Sequence, residues 1–347
     1  MSKLLFFDST LRDGSHAVRH QITTQQIEKY CQITDSAGLH TIIVGHGNGL
    51  GASSLQVGLA KHTDAEMLSA AKRNLEKTLL GALMIPGFGT ISDNMIPAIR
   101  DGVDLFCLGC HCTEADTTKQ HIGFARQQGK EAYGVLMMYH MASPEKLLEE
   151  ALKMQEYGAG GVILMDSAGA STLDMVKTAV AKLANSLQIR VGFHSHNNLG
   201  LAVATAYAAI KEGATIIDGT LRGFGGGAGN CPIEVLGALL SREKVDTGLD
   251  LYKLLDASDS IVCEIAGSAA GLSSTSIVSG MAGVFSAFAP HVKNAAKRFN
   301  VDARDVFLEL GKRKAVAGQE DMVVEIAMAL QEKNRANALD HQIESLL

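Results

Sequence analysis

The chain has 347 residues, a net charge of −6 with histidines neutral, 46% hydrophobic and 20% charged residues, 36 Gly and no Trp. That composition excludes a disordered or fibrous protein. The absence of any basic run removes the electrostatic footprint of a nucleic-acid binder, and no apolar run is long enough to span a bilayer. The opening Leu4-Leu5-Phe6-Phe7 is too short for a signal-peptide core. Six Cys in a chain of this length read as reduced thiols. The expectation is a cytoplasmic protein that touches neither nucleic acid nor membrane.

In chain order, short apolar runs alternate with segments of helical period. The runs are Leu4–Asp8, Thr41–Gly45, Thr78–Ile85, Val103–Cys110, Ala132–Tyr139, Gly161–Asp166, Ile189–His194 and Ala214–Asp218. Each is uniformly hydrophobic, as a parallel strand covered on both faces must be. Between them, Thr24–Ala37, Asp64–Leu75, Pro144–Tyr157, Thr172–Ala184 and Leu199–Glu212 carry apolar residues at helical spacing. Eight such alternations predict an α/β fold, a (β/α)8 TIM barrel over residues 1–245. The strand-like runs then stop. Leu249–Cys263, Ser276–Phe299, Ala303–Leu310 and Asp321–Glu332 read as helices, which predicts a C-terminal helical domain over 246–347.

Barrels of this kind place their chemistry at the carboxyl ends of the strands. Strand 1 runs into Arg12-Asp13-Gly14-Ser15-His16 and strand 7 into His194-Ser195-His196. Residues two apart on a strand face the same way, so both imidazoles project together. Two neutral imidazoles and a carboxylate make a familiar site for a divalent metal, and Asp13 is the nearest carboxylate candidate. A plainer reading has the histidines capping the strand on loop carbonyls. Arg12 reads either as half of a weak surface ion pair or as a fixed charge for an enolate or carboxylate oxygen. His16 has the ordinary pKa of a general base. Gly223–Gly229 reads as tight turning that lets Asn230 approach the rim, and Asn230 also suits the N-cap of the helix that follows. Cys107, Cys110 and Cys112 lack the second cysteine pair and the facing needed for a zinc site. His46 is expected to line the rim without an assigned role.

Asp8-Ser-Thr-Leu-Arg12-Asp13-Gly14, His194-x-His196 and Gly227-Ala-Gly-Asn230 resemble the signature of the DRE-TIM metallolyases. The segments Gly14–Gln21, His46–Gly49, His111–Asp116, Glu309–Arg313 and Gly318–Met322 narrow the resemblance to 4-hydroxy-2-oxovalerate aldolases. The resemblance implies a carbon–carbon lyase that cleaves a 4-hydroxy-2-oxo acid to pyruvate and an aldehyde. It implies a divalent ion, manganese before cobalt or magnesium, on Asp13, His194 and His196, with Asn230 a ligand in some members. Arg12 would stabilise the enolate and bind substrate, His16 would act as acid/base, Ser167 would contact the substrate carboxylate, and Leu83 and Ile85 would line the aldehyde pocket. The family usually carries Tyr where Phe285 stands; Phe keeps the ring and loses a hydrogen bond worth roughly 0.5–1.5 kcal/mol. An acylating acetaldehyde dehydrogenase partner at the C-terminal region and a homo-oligomer are also implied. The alternatives are a Claisen-type condensing enzyme that uses acyl-CoA, and a catalytically weak subunit of a dehydrogenase.

Overall fold

The computed structural model describes residues 3–267, 273–316 and 318–344; the outer ends of the two expected domains lie outside them. All eight apolar runs form strands, their ends shifted by no more than two residues. They are β1 (Leu5–Asp8), β2 (Thr41–Ile43), β3 (Leu79–Met84), β4 (Leu105–His111), β5 (Glu131–Met137), β6 (Gly161–Asp166), β7 (Arg190–Ser195) and β8 (Ile216–Gly219). The strands close in sequence order into a parallel barrel, with β1 pairing β8 so that Leu5 faces Ile216 and Asp8 faces Gly219. The fold is a (β/α)8 TIM barrel with a helical C-terminal region.

Two apolar layers hold it together. Phe7, Ile43, Leu105, Cys107, Tyr133, Val135, Ile163 and Ile216 fill the interior, where the Phe7 ring meets Tyr133 edge-on at 5.0 Å. Residues of opposite parity, such as Phe6, Ile42, Phe106, Leu136 and Phe193, pack outward against the helices, as a pleat of period two requires. The outer helices start where their sequence dictates. Thr23 and Thr63 form capping boxes with Gln26 and Glu66, and Ser143 and Thr172 cap Pro144–Glu156 and Leu173–Ala184.

Beyond the barrel, Leu251–Ala257 packs on the barrel helix Thr24–Thr34. Ser274–Ala282, Ala289–Phe299, Ala303–Lys312 and Asp321–Glu344 pack mainly on one another. The expected single helix Ser276–Phe299 is two: the first ends at Gly283, whose φ of 67° stops it, and a non-helical segment with a short 3-10 turn precedes the second. That break carries Phe285, and the apolar cluster it joins runs from the barrel interior through Phe285 to Phe288, Phe307 and Ile326.

The loop after β8 turns on Gly229, at φ 89°, where a Cβ would lie 1.9 Å from the Gly223 carbonyl oxygen. Gly229→Ala is therefore expected to cost at least about 1–2 kcal/mol and to lower Tm in a thermal melt; an unchanged melt would contradict this packing.

Candidate active site and metal centre

The rim of the barrel gathers Arg12, Asp13, His16, His194, His196 and Asn230 although they come from three separate stretches of chain, the loop after β1, the end of β7 and the loop after β8. One oxygen each from Asp13 and one nitrogen each from His194 and His196 lie within 4.8 Å of one another, all buried. Among the described residues no other group of His, Cys, Asp and Glu shares this geometry.

Asp13 is the centre. Its Oδ1 accepts the Gly226 N–H at 2.9 Å and the Asn230 amide at 2.8 Å, and its Oδ2 accepts from Arg12 Nη1 at 2.8 Å. His196 Nε2 stands 3.8 Å from the same Oδ2. Burial alone would raise the Asp13 pKa, but Arg12 first and then the neighbouring imidazoles hold it well below the usual carboxylate range. The Arg12 and Asp13 side chains are each only 4% exposed, so the pair is not a surface ion pair. Arg12 also reaches the Gly47 carbonyl and Ser9 Oγ, and its Nε has no partner.

The two strand histidines are fixed differently. His194 Nδ1 donates to Asp218 Oδ2 at 2.8 Å, and Asp218 is held in turn by Ser9 Oγ. That bond sets the tautomer and leaves His194 Nε2 as a lone-pair donor, buried and without a partner. His196 Nδ1 donates to the Gly226 carbonyl at 3.3 Å, which presents its Nε2 toward Asp13. Capping on a loop carbonyl thus describes His196 and fails for His194. Asn230 Oδ1 is also buried and unpartnered. Asn230 is not an N-cap: the next helix, Ile233–Arg242, has Pro232 at that position. A carboxylate oxygen, two oriented imidazole nitrogens and an orphaned amide oxygen fit a divalent cation.

Around this centre Arg12, Asp13, His16, Asn48, Leu83, Ile85, Met137, Met165, His196 and Phe285 line a cavity of only about 10 Å³, room for a single water. Its far side, Leu83, Ile85, Met137, Met165 and Phe285, is apolar. Ile85 and Met137 also line a neighbouring cavity of about 500 Å³ that extends to Phe88, His111, Glu114 and Val316. His16 sits in the short helix Gly14–Ala17, and burial presses its pKa down to about 4, so its imidazole is neutral at pH 7.

The segment bearing Phe285 is tied down from three barrel loops. His140 Nε2 donates to the Gly283 carbonyl, the Ser286 N–H donates to the Ser167 carbonyl at 3.1 Å, and Asn198 Nδ2 donates to Ser286 Oγ at 3.1 Å. Ser167 does not line the cavity; its Oγ accepts the Met138 N–H. His46 does not line it either, being fully buried behind Gly47 and Asn48. Sequence reasoning missed Asp218, Asn198 and Met137. Asp218 and Asn198 carried a signal, as polar residues at the carboxyl ends of strands.

An HMGL-like family model matches residues 107–261, and a DmpG-like communication domain model matches residues 271–332. The 4-hydroxy-2-oxovalerate aldolase of Pectobacterium atrosepticum is 52% identical over 332 residues, covering 96% of this chain and 97% of that protein. The one from Spirochaeta aurantia is 51% identical over 330 residues, covering 95% and 96%. Among solved structures, the carboxyl transferase domain of Rhizobium etli pyruvate carboxylase aligns with a TM-score of 0.81 at 16% identity. That likeness is one of fold alone; it covers 96% of this chain, which spans only 61% of the longer one. With about half its residues identical to such relatives over nearly its whole length, the chain belongs to the 4-hydroxy-2-oxovalerate aldolase family.

Proposed function

We propose that this chain is a divalent-metal-dependent aldolase that cleaves a 4-hydroxy-2-oxo acid, 4-hydroxy-2-oxopentanoate or a close analogue, to pyruvate and an aldehyde. The observation that carries this reading is the buried Asp13, His194 and His196 cluster beside Arg12 and a neutral His16. Asp13, His194 and His196 would hold the ion, with Asn230 Oδ1 as a further oxygen donor and Mn²⁺ as the preferred metal. When bound, the cation acts as a Lewis acid toward the 2-keto oxygen of the substrate. Arg12, buried and permanently charged, stabilises the oxygen that becomes negative as the C3–C4 bond breaks. His16 accepts the 4-hydroxyl proton, and its neutral imidazole suits that role. Ser167 remains a candidate for the substrate carboxylate through its buried Oγ. The apolar wall of Leu83, Ile85 and Phe285 receives the aldehyde substituent and offers it no hydroxyl donor.

The helical region covers the site through Phe285 and Ser286, and we assign residues 246–347 that covering role together with partner contact. The match to a communication domain and the curated relatives support pairing with an acylating acetaldehyde dehydrogenase. A homo-oligomer and a cytoplasmic location complete the reading; no helix among the described residues is long and apolar enough to cross a membrane.

The direct test supplies pyruvate, a panel of aldehydes and Mn²⁺ and follows products by mass. Turnover is expected for the native chain, loss of turnover for Asp13→Ala, and a fall of about 10²–10⁴-fold for His16→Ala. Acyl-CoA consumption with a 2-oxo acid would instead favour a condensing enzyme. Asp218→Asn removes the carboxylate that orients His194 and is expected to weaken Mn²⁺ binding by about 10–100-fold in a calorimetric titration. Ile85→Ala joins the 10 Å³ and 500 Å³ spaces, so kcat/KM for aldehydes longer than propanal is expected to rise relative to acetaldehyde; an unchanged chain-length profile would contradict the shared wall.

A further inference from the structure

Next to Arg12 lies a feature the aldolase reading leaves unused. The rings of His16, His20 and His46 cluster, with centroids 5.1 Å apart for His16 and His20 and 6.5 Å for His16 and His46. His20 and His46 stack at 3.6 Å with planes within 20° of parallel. Both are buried, and neither borders the cavity at the candidate metal centre.

Three adjacent imidazoles invite the idea of a proton relay leading away from His16. The hydrogen bonds argue against it. His46 Nδ1 accepts the Asn48 N–H at 3.1 Å, and its Nε2 donates to the Gly58 carbonyl at 3.1 Å. His20 Nδ1 accepts the Gly47 N–H at 3.4 Å. A nitrogen that accepts from an amide carries no proton, so both rings are neutral Nε2–H tautomers. With both nitrogens of His46 engaged and the His20 Nδ1 lone pair taken by an amide, no relay of lone pairs and protons runs from His16 through the three rings.

What the pair does hold is the loop after β2. Gly47 is its pivot: the N–H rests on His20, and the carbonyl accepts from Arg12 Nη1 at 3.3 Å. Its Cα lies so close to His16 that a Cβ would sit 2.4 Å from His16 Nε2. Asn48, whose N–H rests on His46, lines the cavity beside it. His20 reaches this place through two successive left-handed residues, Arg19 at φ 54° and His20 at φ 60°, a conformation that L side chains adopt only when the surroundings demand it.

We propose that His20 and His46 are positioning residues, a stacked pair that fixes Gly47 and Asn48 so that Arg12 and His16 stay aimed at the substrate. The proposal rests on the aldolase reading for what Arg12 and His16 do there. It separates the local histidines by role: His16 alone faces the cavity, and the other two set its place and that of Arg12.

The test is steady-state cleavage of 4-hydroxy-2-oxopentanoate by the full Mn²⁺-loaded chain, comparing the native protein with H46L and H46N. Leu fills the space without an acceptor, whereas the Asn side-chain oxygen replaces Nδ1 toward the Asn48 N–H. H46L is expected to lose about 10–100-fold in kcat, the size of effect that a slight misplacement of catalytic groups produces, with KM and Mn²⁺ affinity little changed. H46N is expected to recover most of that loss. A folded H46L with native kcat, or equal losses in both variants, would overturn the proposal. If H46L does not fold, long-range ¹H–¹⁵N imidazole spectra of the native chain decide the matter. Both rings should remain neutral Nε2–H tautomers from pH 5 to 8, and a charged ring or an Nδ1–H tautomer in either would overturn the pair. An inactive native chain whose spectra show both expected tautomers would sink the aldolase reading and leave the pair standing.

Discussion

The rim of this barrel is organised around one buried negative charge. Asp13 is almost wholly removed from water, and a carboxylate in that position is tolerable only when its oxygens are saturated with donors or bound to a cation. The chain meets the demand from two directions: Arg12 from the same loop, and the Gly226 N–H and Asn230 amide from the loop after β8. The burial that makes the charge costly also makes its partners effective, because the local dielectric is low. Remove the carboxylate, and the glycine-rich loop loses its anchor and Arg12 becomes a buried cation without its acid.

Orientation of the two histidines shows how the same residue type is given one function by two routes. Asp218 lies opposite His194 in the register of β7 and β8, so the sheet itself delivers the carboxylate that fixes that tautomer. His196 lies beyond the strand end and relies on a loop carbonyl instead. Both routes leave an imidazole Nε2 free of protein donors, so the candidate ligand set is already oriented. Such preorganisation would keep the reorganisation cost out of the binding of a cation there.

Much of this was legible in the sequence because it is local. A parallel strand announces itself as an apolar run, and two histidines two residues apart share a face whatever else the chain does. Arg12 and Asp13 follow β1 directly, so the carboxyl-end rule places them. What escaped depends on partners distant in sequence. Asp218 is one acid among many until the β7–β8 register sets it against His194. His46 sits in a rim loop, as expected, yet the stacking of His20 on it turns it away from the cavity. The end of Ser274–Ala282 was hidden because helical period resumes after the break; Gly283 in the left-handed region and the ties from His140, Ser167 and Asn198 are what open the gap.

That gap bears on how chemistry and architecture are divided in this chain. The candidate ligands and charged groups all come from the barrel strands and the loops that follow them, but the apolar side of the cavity includes Phe285, delivered by the helical region. Asn198 joins the two: its Oδ1 accepts the Ala228 N–H of the loop that holds Asp13, and its Nδ2 donates to Ser286, next to Phe285. Two residues before it stands His196. The Asn198 side chain thus bonds both the Phe285 segment and the glycine-rich loop whose Gly226 N–H reaches Asp13. The helical region is thereby tied to the rim through Asn198 as well as bordering the cavity through Phe285.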